Sequence, residues 1–476
     1  MTPLLNTADA VRLGSSAASK VYLGTAPVWP PSASFVEVST DGNGVVTYNA
    51  TTPIINDGNP IAVRVLAPTN ASGSGLPHNF LYMLVVEAFP TDSFGDPMAD
   101  VAVALGLPNK YNVTVIAANM PGQCWYGDSI TDPGDQRVTY LVDDVVPWVT
   151  ETFGTGGEGH LLIGFSRSGM GGQDLLLHYP AVFAKAASWD FPSSSMDSFN
   201  EFSADIFGNQ ENFEENYQLS EANVAALAGP FTGSDRIWIG GYEAFQADIV
   251  SYDAMLTSLG MQHTLGAMAN ITHEWQSGWV EPAVQALVGY VPSDNFNRAN
   301  GTPGPNWVQW NGDLPMAIAS NQLVGASDSD SDTGVIRNAT AAGEFYTGNH
   351  FSEVAAPTAW AGNAIGPSVR CQGTLHPGVN AAAQYVAIWL TGSPFVVQLF
   401  ACGPTGSFTP LGSAFNLSGP PTPGDRLRLT AVGSALTVTL NGTTIITATD
   451  STYTGGAPGI LANGSAACDN WLGGNV

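Results

Sequence analysis

Seven apolar runs between residues 60 and 268 constrain the fold more than any other feature of the chain. They are Pro60–Pro68 (PIAVRVLAP), Phe80–Phe89 (FLYMLVVEAF), Val113–Asn119 (VTVIAAN), His160–Ser166 (HLLIGFS), Ala184–Asp190 (AKAASWD), Arg236–Tyr242 (RIWIGGY) and Gln262–Met268 (QHTLGAM). They are continuous rather than alternating, as strands of a sheet covered on both faces must be. Helical patterns lie between them at Arg137–Phe153, Met170–Phe183 and Asp248–Gly260, and Glu274–Val291 closes the series. Strand–helix alternation of this kind predicts a doubly wound, mostly parallel sheet. Residues 191–235 break the rhythm with FNEFSADIFGNQENFEENYQ and read as an inserted cap.

After Pro292 the pattern changes. Short strands dominate (YVAIWLTG, VVQLFACG, DRLRLTAVGSALTVTLNGTTIITATD), separated by Gly, Pro, Asn and Asp. Turns are expected at Gly433-Ser434 and Asn441-Gly442. No helix-length amphipathic run is present, so an all-β sandwich is expected. The segment opens with DNF (Asp294–Phe296) and ends with DNW (Asp469–Trp471), which suggests first and last strands lying side by side. In this pattern it resembles the concanavalin-like or laminin-G-like jelly roll. Charge changes at the same point: residues 1–291 hold 30 acidic and 8 basic side chains, residues 292–476 hold 10 and 5. A domain boundary is therefore placed at 291/292, with residues 1–31 as a separate arm and 32–291 as the strand–helix domain.

A net charge of −27 excludes a nucleic-acid-binding surface as the main business of the chain. It also argues against docking by charge on an anionic membrane. No apolar stretch reaches 18 residues, so no membrane-spanning helix is expected, and the N-terminus lacks the basic start and apolar run of a signal peptide. Cys124, Cys371, Cys402 and Cys468 form no metal-ligand spacing; one bridge among the last three and free buried thiols are both open. Asp328-Ser-Asp-Ser-Asp-Thr-Gly334 resembles a calcium loop, but its glycine falls one position late and no glutamate follows at the right spacing; a solvated loop is the plainer reading, and no cofactor is expected. Trp307, Trp310, Trp360 and Trp389 are candidates for stacking on sugar rings, although core packing is the commoner role of such residues.

The sharpest chemical signal is GFSRSG, Gly164 to Gly169, between the run HLLI and the helical pattern MGGQDLLL. A serine on a tight strand-to-helix turn needs small residues two positions away on either side. Ser166 has Gly164 and Ser168 there, whereas Ser168 would have Met170 in that place. Ser166 is thus the candidate nucleophile. Its base is expected after the last strand, where His273 stands; His160, His178 and His263 lie at a strand start or inside a helix. Three carboxylates compete for the acid: Glu243 and then Asp248 after the run RIWIGGY, and Asp190 at the end of AKAASWD, with Glu243 preferred. The oxyanion hole is expected to use the N–H of Arg167 and one near Ala88 or Phe89. The Arg167 side chain suits either an anionic group of the substrate or a salt bridge.

The stretch LLIGFSRSGMGGQDLLLHYPAVFAKAASWDFP resembles the esterase-D-like branch of α/β-hydrolases, whose pattern is GxSxGG followed by a helix and HPxxFxxxxxxS. HEWQSGW (His273–Trp279) is similar to that family's H-x-W ending. The departures are Ser168 for a glycine and no aspartate in the usual acid loop. The resemblance spans roughly 60–291 and implies an α/β-hydrolase fold and acyl-ester chemistry. Val21–Pro31 (VYLGTAPVWPP) resembles a segment in minor tail proteins of phages that infect actinobacteria, where it looks like an attachment arm. Together the resemblances imply a virion protein at the tail tip that cleaves an ester in the host envelope and holds an envelope glycolipid or polysaccharide. Its partners would be other tail proteins, with self-association into a homo-oligomer open. The alternative is an inactive, structural or receptor-binding tail protein on a hydrolase scaffold; a third, a free bacterial esterase with a carbohydrate-binding module, is disfavoured by the arm.

Overall fold

A computed structural model describes residues 33–476 apart from 56–59, 71–74, 90–92, 122–123, 194–203, 267–270, 310–314, 326–331, 343–345, 358–363, 373–382, 391, 393 and 405–406, together with the backbone of four short strands before residue 30. The chain divides into two compact units, Met1–Tyr290 and Val291–Val476. In the arm, Arg12–Leu13 pairs with Ser16–Ala17 and Val21–Leu23 with Ala26–Trp29, both antiparallel; the rest of the arm lies outside the described residues.

Among the described residues the first unit is built on one sheet of nine strands: β1 (Ser34–Thr40), β2 (Val46–Thr51), β3 (Ile61–Leu66), β4 (Asn79–Met83), β5 (Val113–Ala118), β6 (Gly159–Phe165), β7 (Phe183–Trp189), β8 (Ile237–Gly240) and β9 (His263–Gly266). Their order is β9-β8-β7-β6-β4-β5-β3-β2-β1. The pairs from β5 to β9 are parallel, and β1, β2 and β3 add antiparallel strands beyond β5. All seven apolar runs supply a strand. β1 and β2 were not among them, because SFVEVST and VTYNAT are polar on at least one face; β1 is the exposed edge.

The chain passes from β4 to β5 on one side and returns to β6 on the other. The C-terminal ends of β4 and β6 therefore lie together at a topological switch point, where sheets of this class place their ligands. The register is held past the strand end by Leu84 N–H donating to the Ile163 carbonyl at 2.8 Å.

Four helices matter for the site: α1 (Val146–Phe153), α2 (Ser166–His178), α3 (Gln246–Ser258) and α4 (Val280–Val288). α2 presents bare backbone at Gly171, where a Cβ would stand 2.6 Å from the Tyr126 ring. The pattern expected as one helix over 274–291 is broken: Gly278 at φ 110° separates a short turn at Trp275–Ser277 from α4. Between β7 and β8 the insertion contributes Ala204–Phe207, Gln210–Asn216 and Glu221–Leu227 as short helices.

Among the described residues of the second unit, fifteen strands form two antiparallel sheets of eight and seven. One apolar core lies between them, drawing Val354, Leu427, Leu429 and Trp471 from the first sheet and Ile365, Tyr385, Trp389 and Ile460 from the second. Ser293 and Asp294 pair with Leu472 and Trp471, so the first and last strands are neighbours. The turn at Asn441-Gly442 has φ of 51° and 79°, the two positive values a tight hairpin requires. Trp307 and Trp389 are 5% and 1% exposed, hence core residues rather than stacking platforms; Trp310 and Trp360 lie outside the described residues. All four cysteines are buried, and none of them is in a disulfide. Of the aspartate-rich loop, residues 328–331 lie outside the described residues, while Asp332 begins a strand and accepts from Asn463 Nδ2 at 3.0 Å.

His350 gives this unit a pH dependence. It is fully buried, with Nδ1 at 2.6 Å from the Thr347 carbonyl and Nε2 accepting from Arg370 N–H at 2.9 Å. Those partners specify the neutral ring with its proton on Nδ1, and burial pushes its pKa down to about 4. The unfolded chain then binds the proton first as pH falls from about 6.5. Stability is full above that pH and is lost between it and about 4, a total on the order of 3 kcal/mol. Urea unfolding of the full chain at pH 7.5 and 4.5 is expected to show this loss in the second unit, and His350→Gln to flatten it.

Candidate active site

The site is built from the ends of β6, β7 and β8 and the segment after β9. β6 runs straight into α2, and Ser166, the first helical residue, has φ 54°. Strain of this kind in a non-glycine residue marks a turn held by its surroundings. The hold is visible. A Cβ on Gly164 would stand 2.5 Å from the Ser168 carbonyl oxygen, and one on Gly169 would stand 2.9 Å from Phe191 Cβ. Ser168, the departure from the family pattern, is fully buried; its hydroxyl donates to the Phe165 carbonyl at 2.9 Å and accepts from the Phe165 N–H at 3.1 Å. It thus caps the turn. Gly164→Ala is expected to cost on the order of 2 kcal/mol and to lower the unfolding temperature of the first unit; differential scanning calorimetry measures it.

His273 lies after β9, half-buried, on a segment anchored by Trp275 and Trp279. Trp275 N–H donates to the Phe94 carbonyl at 3.1 Å, Trp279 Nε1 to the Glu274 carbonyl at 2.9 Å, and Trp279 stacks on Trp189 with centroids 6.1 Å apart. The HEWQSGW motif is therefore an anchor for its histidine. The imidazole is walled by Phe165, Phe94 and Phe245, with centroids at 5.0, 5.6 and 5.8 Å.

Its Nδ1 lies 2.8 Å from Asp190 Oδ2. Asp190, at the end of β7 with φ 41°, is fully buried, and its carboxylate also accepts N–H bonds from Ala244 at 2.9 Å and Phe245 at 2.8 Å. Burial raises its pKa, but the His273 bond and the two backbone donors outweigh that and hold it below the usual carboxylate range. The Asp190 carbonyl also accepts from the Ser166 N–H at 3.2 Å, so serine and carboxylate are tied backbone to backbone. Among the described residues no hydrogen bond joins the Ser166 hydroxyl to His273; such bonds commonly close only with substrate in place.

The order of preference among the carboxylates is thereby reversed. Glu243, preferred from sequence, is exposed and accepts from the His273 backbone N–H at 2.8 Å, so it braces the segment and does not touch the ring. Asp248 is on the first turn of α3, and its Oδ1 accepts from the Ser193 N–H at 3.0 Å, fastening the start of the insertion. The backbone donors of Ala244 and Phe245 were not expected. Of the alternative histidines, His160 contacts the Tyr82 hydroxyl, His178 pairs with Asp174, and His263 pairs with Asp253 at the opposite end of the sheet.

Arg167 is on the first turn of α2, whose N–H groups have no acceptor within the helix. Its guanidinium lies 5.5 Å over the Trp125 ring, which also packs against Phe207 of the insertion. Ala88 lies beyond the end of β4, across the switch point. The neighbouring Phe89 N–H donates to Asn119 Oδ1 at 3.1 Å, which removes it from the pair considered for the oxyanion.

No curated protein matches the chain. Among solved structures, the S-formylglutathione hydrolase of Agrobacterium tumefaciens is similar at 12% identity and TM-score 0.42, over 53% of this chain and 99% of that one. The S-formylglutathione hydrolase of Staphylococcus aureus is similar at 15% identity and TM-score 0.41, over 54% and 99%. A carbohydrate-binding module of Bacillus subtilis is similar at 17% identity and TM-score 0.26, over 37% and 96%. Residues 71–230 match the family model described as "Putative esterase", so this stretch of the first unit is similar to that family.

Proposed function

We propose that the first unit is a serine carboxylic-ester hydrolase working through Ser166, His273 and Asp190. The observation that carries the reading is the buried, ionised Asp190 on His273 Nδ1, tied through its own backbone to a serine on a strained turn. With Nδ1 engaged, the other ring nitrogen is the base. Ser166 Oγ attacks the ester carbonyl as His273 Nε2 takes its proton. The N–H groups of Arg167 and Ala88 receive the oxyanion. The alkoxide then leaves with that proton, and water repeats the sequence on the acyl-enzyme. No metal or organic cofactor has a part in these steps.

In the fuller reading the chain is a phage minor tail protein at the virion tip, attached through its N-terminal arm to other tail proteins. Its ester belongs to the host cell envelope, and the second unit, a jelly-roll sandwich, holds an envelope glycan. The likeness of Val21–Pro31 to tail-protein arms supports this. A fluorophosphonate probe is expected to label the full chain at Ser166, and a series of chromogenic esters of increasing acyl length to be turned over. Absence of both leaves the inactive scaffold as the reading.

A further inference from the structure

In ester hydrolysis by a triad the leaving alkoxide takes its proton from the histidine, so the alcohol part of the substrate must come within about 3 Å of His273 Nε2. Whatever stands around that nitrogen sorts alcohols. His273 Nδ1 is spent on Asp190, whose side chain is fully buried, so the 16% of the His273 side chain that meets solvent lies toward the Nε2 edge.

Three phenyl rings pack on the imidazole, and they differ in exposure. Phe165 is fully buried and shields the His273–Asp190 pair. Phe94 and Phe245 are only half-buried. Phe94 stands edge-on to the imidazole at 86°, and Phe245 is tilted to it by 55°. Their open surface makes apolar walls beside the proton donor, beyond the shielding that Phe165 supplies. Both walls are fixed through their backbones. The Phe94 carbonyl accepts from Trp275 N–H, and at the next residue, Gly95 with φ 91°, a Cβ would run into Gln276 Oε1. On the other side of Phe94, Ser93 N–H and Oγ donate to Glu87 Oε2 at 3.1 and 2.9 Å. Phe245 N–H donates to Asp190, and its carbonyl accepts from Ile249 N–H at 3.0 Å. Walls held in this way lose little entropy when a ligand touches them.

The charge beside these walls is negative. Among the described residues, the segments that carry the triad and the two rings hold Glu87, Asp96, Arg167, Asp190, Glu243 and Glu274 besides His273. Asp96 is matched by Arg64, which reaches both its oxygens at 2.7 Å, and Asp190 is bound to His273. Glu87, Glu243 and Glu274 accept from Ser93, the His273 N–H and Gln276 Nε2, and among the described residues none of them pairs with a basic side chain. Against these three carboxylates stands Arg167, which packs over Trp125.

We propose that Phe94 and Phe245 are the walls of a leaving-group subsite, which selects esters of an uncharged alcohol bearing an apolar ring over esters of a small alcohol or of an alcohol carrying an anion. The inference rests on the triad reading above and deepens it by the class of alcohol released.

The test is kcat/KM of the full chain on three acetates: methyl, benzyl, and benzyl with a para carboxylate. Methanol and benzyl alcohol are near-equal leaving groups, so the ratio of the first two reports contact rather than reactivity. Benzyl acetate is expected to exceed methyl acetate by at least about tenfold, as burial of a phenyl group allows. The para-carboxylate ester is expected to fall below benzyl acetate by about tenfold at low salt, and the gap to narrow as salt is added. Phe245→Ala is expected to lower the benzyl-to-methyl ratio by about threefold, and Phe94→Ala with Phe245→Ala to bring it near one. The ratio is taken within one variant, so a general loss of activity cancels. Equal kcat/KM for methyl and benzyl acetate in the wild type, a ratio unchanged in both variants, or an advantage for the carboxylate ester overturns the proposal. Methyl acetate turnover and fluorophosphonate labelling report the triad separately. Both present without selectivity sink the subsite alone; both absent sink the esterase reading with it.

Discussion

Ser166→Ala is expected to abolish hydrolysis of chromogenic esters, a fall on the order of 10⁶-fold in kcat, with an unchanged unfolding temperature. The stability half of the expectation follows from the turn. What holds it is the close approach of Gly164 to Ser168 and the bonds of the Ser168 hydroxyl to Phe165, none of which involves the Ser166 side chain. Alanine also introduces no new strain beyond that already present at φ 54°. The activity half follows from the absence of a substitute. Ser168, two residues on, is fully buried and both gives and receives a hydrogen bond, so it cannot reach an ester carbonyl. Steady-state assay, fluorophosphonate labelling and thermal unfolding read the three parts together. Wild-type turnover in the variant sinks the assignment of the nucleophile.

Asp190→Asn is expected to lower kcat by roughly 10⁴-fold, as loss of the acid does in other triads. The carboxylate accepts three N–H groups at once, from His273, Ala244 and Phe245. An amide has one accepting atom and one donating group. It must either turn its NH₂ against the backbone donors or present it to His273, where it favours the tautomer with the proton on the wrong nitrogen. Glu243→Gln is expected to cost less than about tenfold, because its contact is with the His273 backbone and a glutamine oxygen can still accept there. The ratio of the two effects is the measurement. A larger loss in Glu243→Gln than in Asp190→Asn would restore the order of preference read from the sequence.

The difference between those two carboxylates shows what a linear reading sees. Ser166 and His273 each follow the end of an apolar run, and position along the sheet is encoded by such runs. Strands β3 to β9 were legible for the same reason. The choice between Asp190 and Glu243 is not written in spacing, since both follow a strand of the same sheet. It is made by the left-handed backbone of Asp190, which aims its side chain under the loop after β8, and by main-chain donors that have no letter of their own. β1 and β2 were missed because a half-exposed antiparallel extension lacks the apolar continuity that marked the others. The break at Gly278 was missed because the apolar pattern continues on both sides of it.

The main-chain donors beneath Asp190 also bear on how such a site tolerates drift. Amides at 244 and 245 are supplied by any residue except proline, so mutation can rewrite the loop's side chains without discharging the acid. The constraint is transferred to Gly241, where a Cβ would meet Ile249 Cγ1 at 2.5 Å and Asp190 Oδ1 at 3.2 Å. Divergent copies of this gene would thus be expected to vary at 244, keep glycine at 241, and never place proline at 244 or 245.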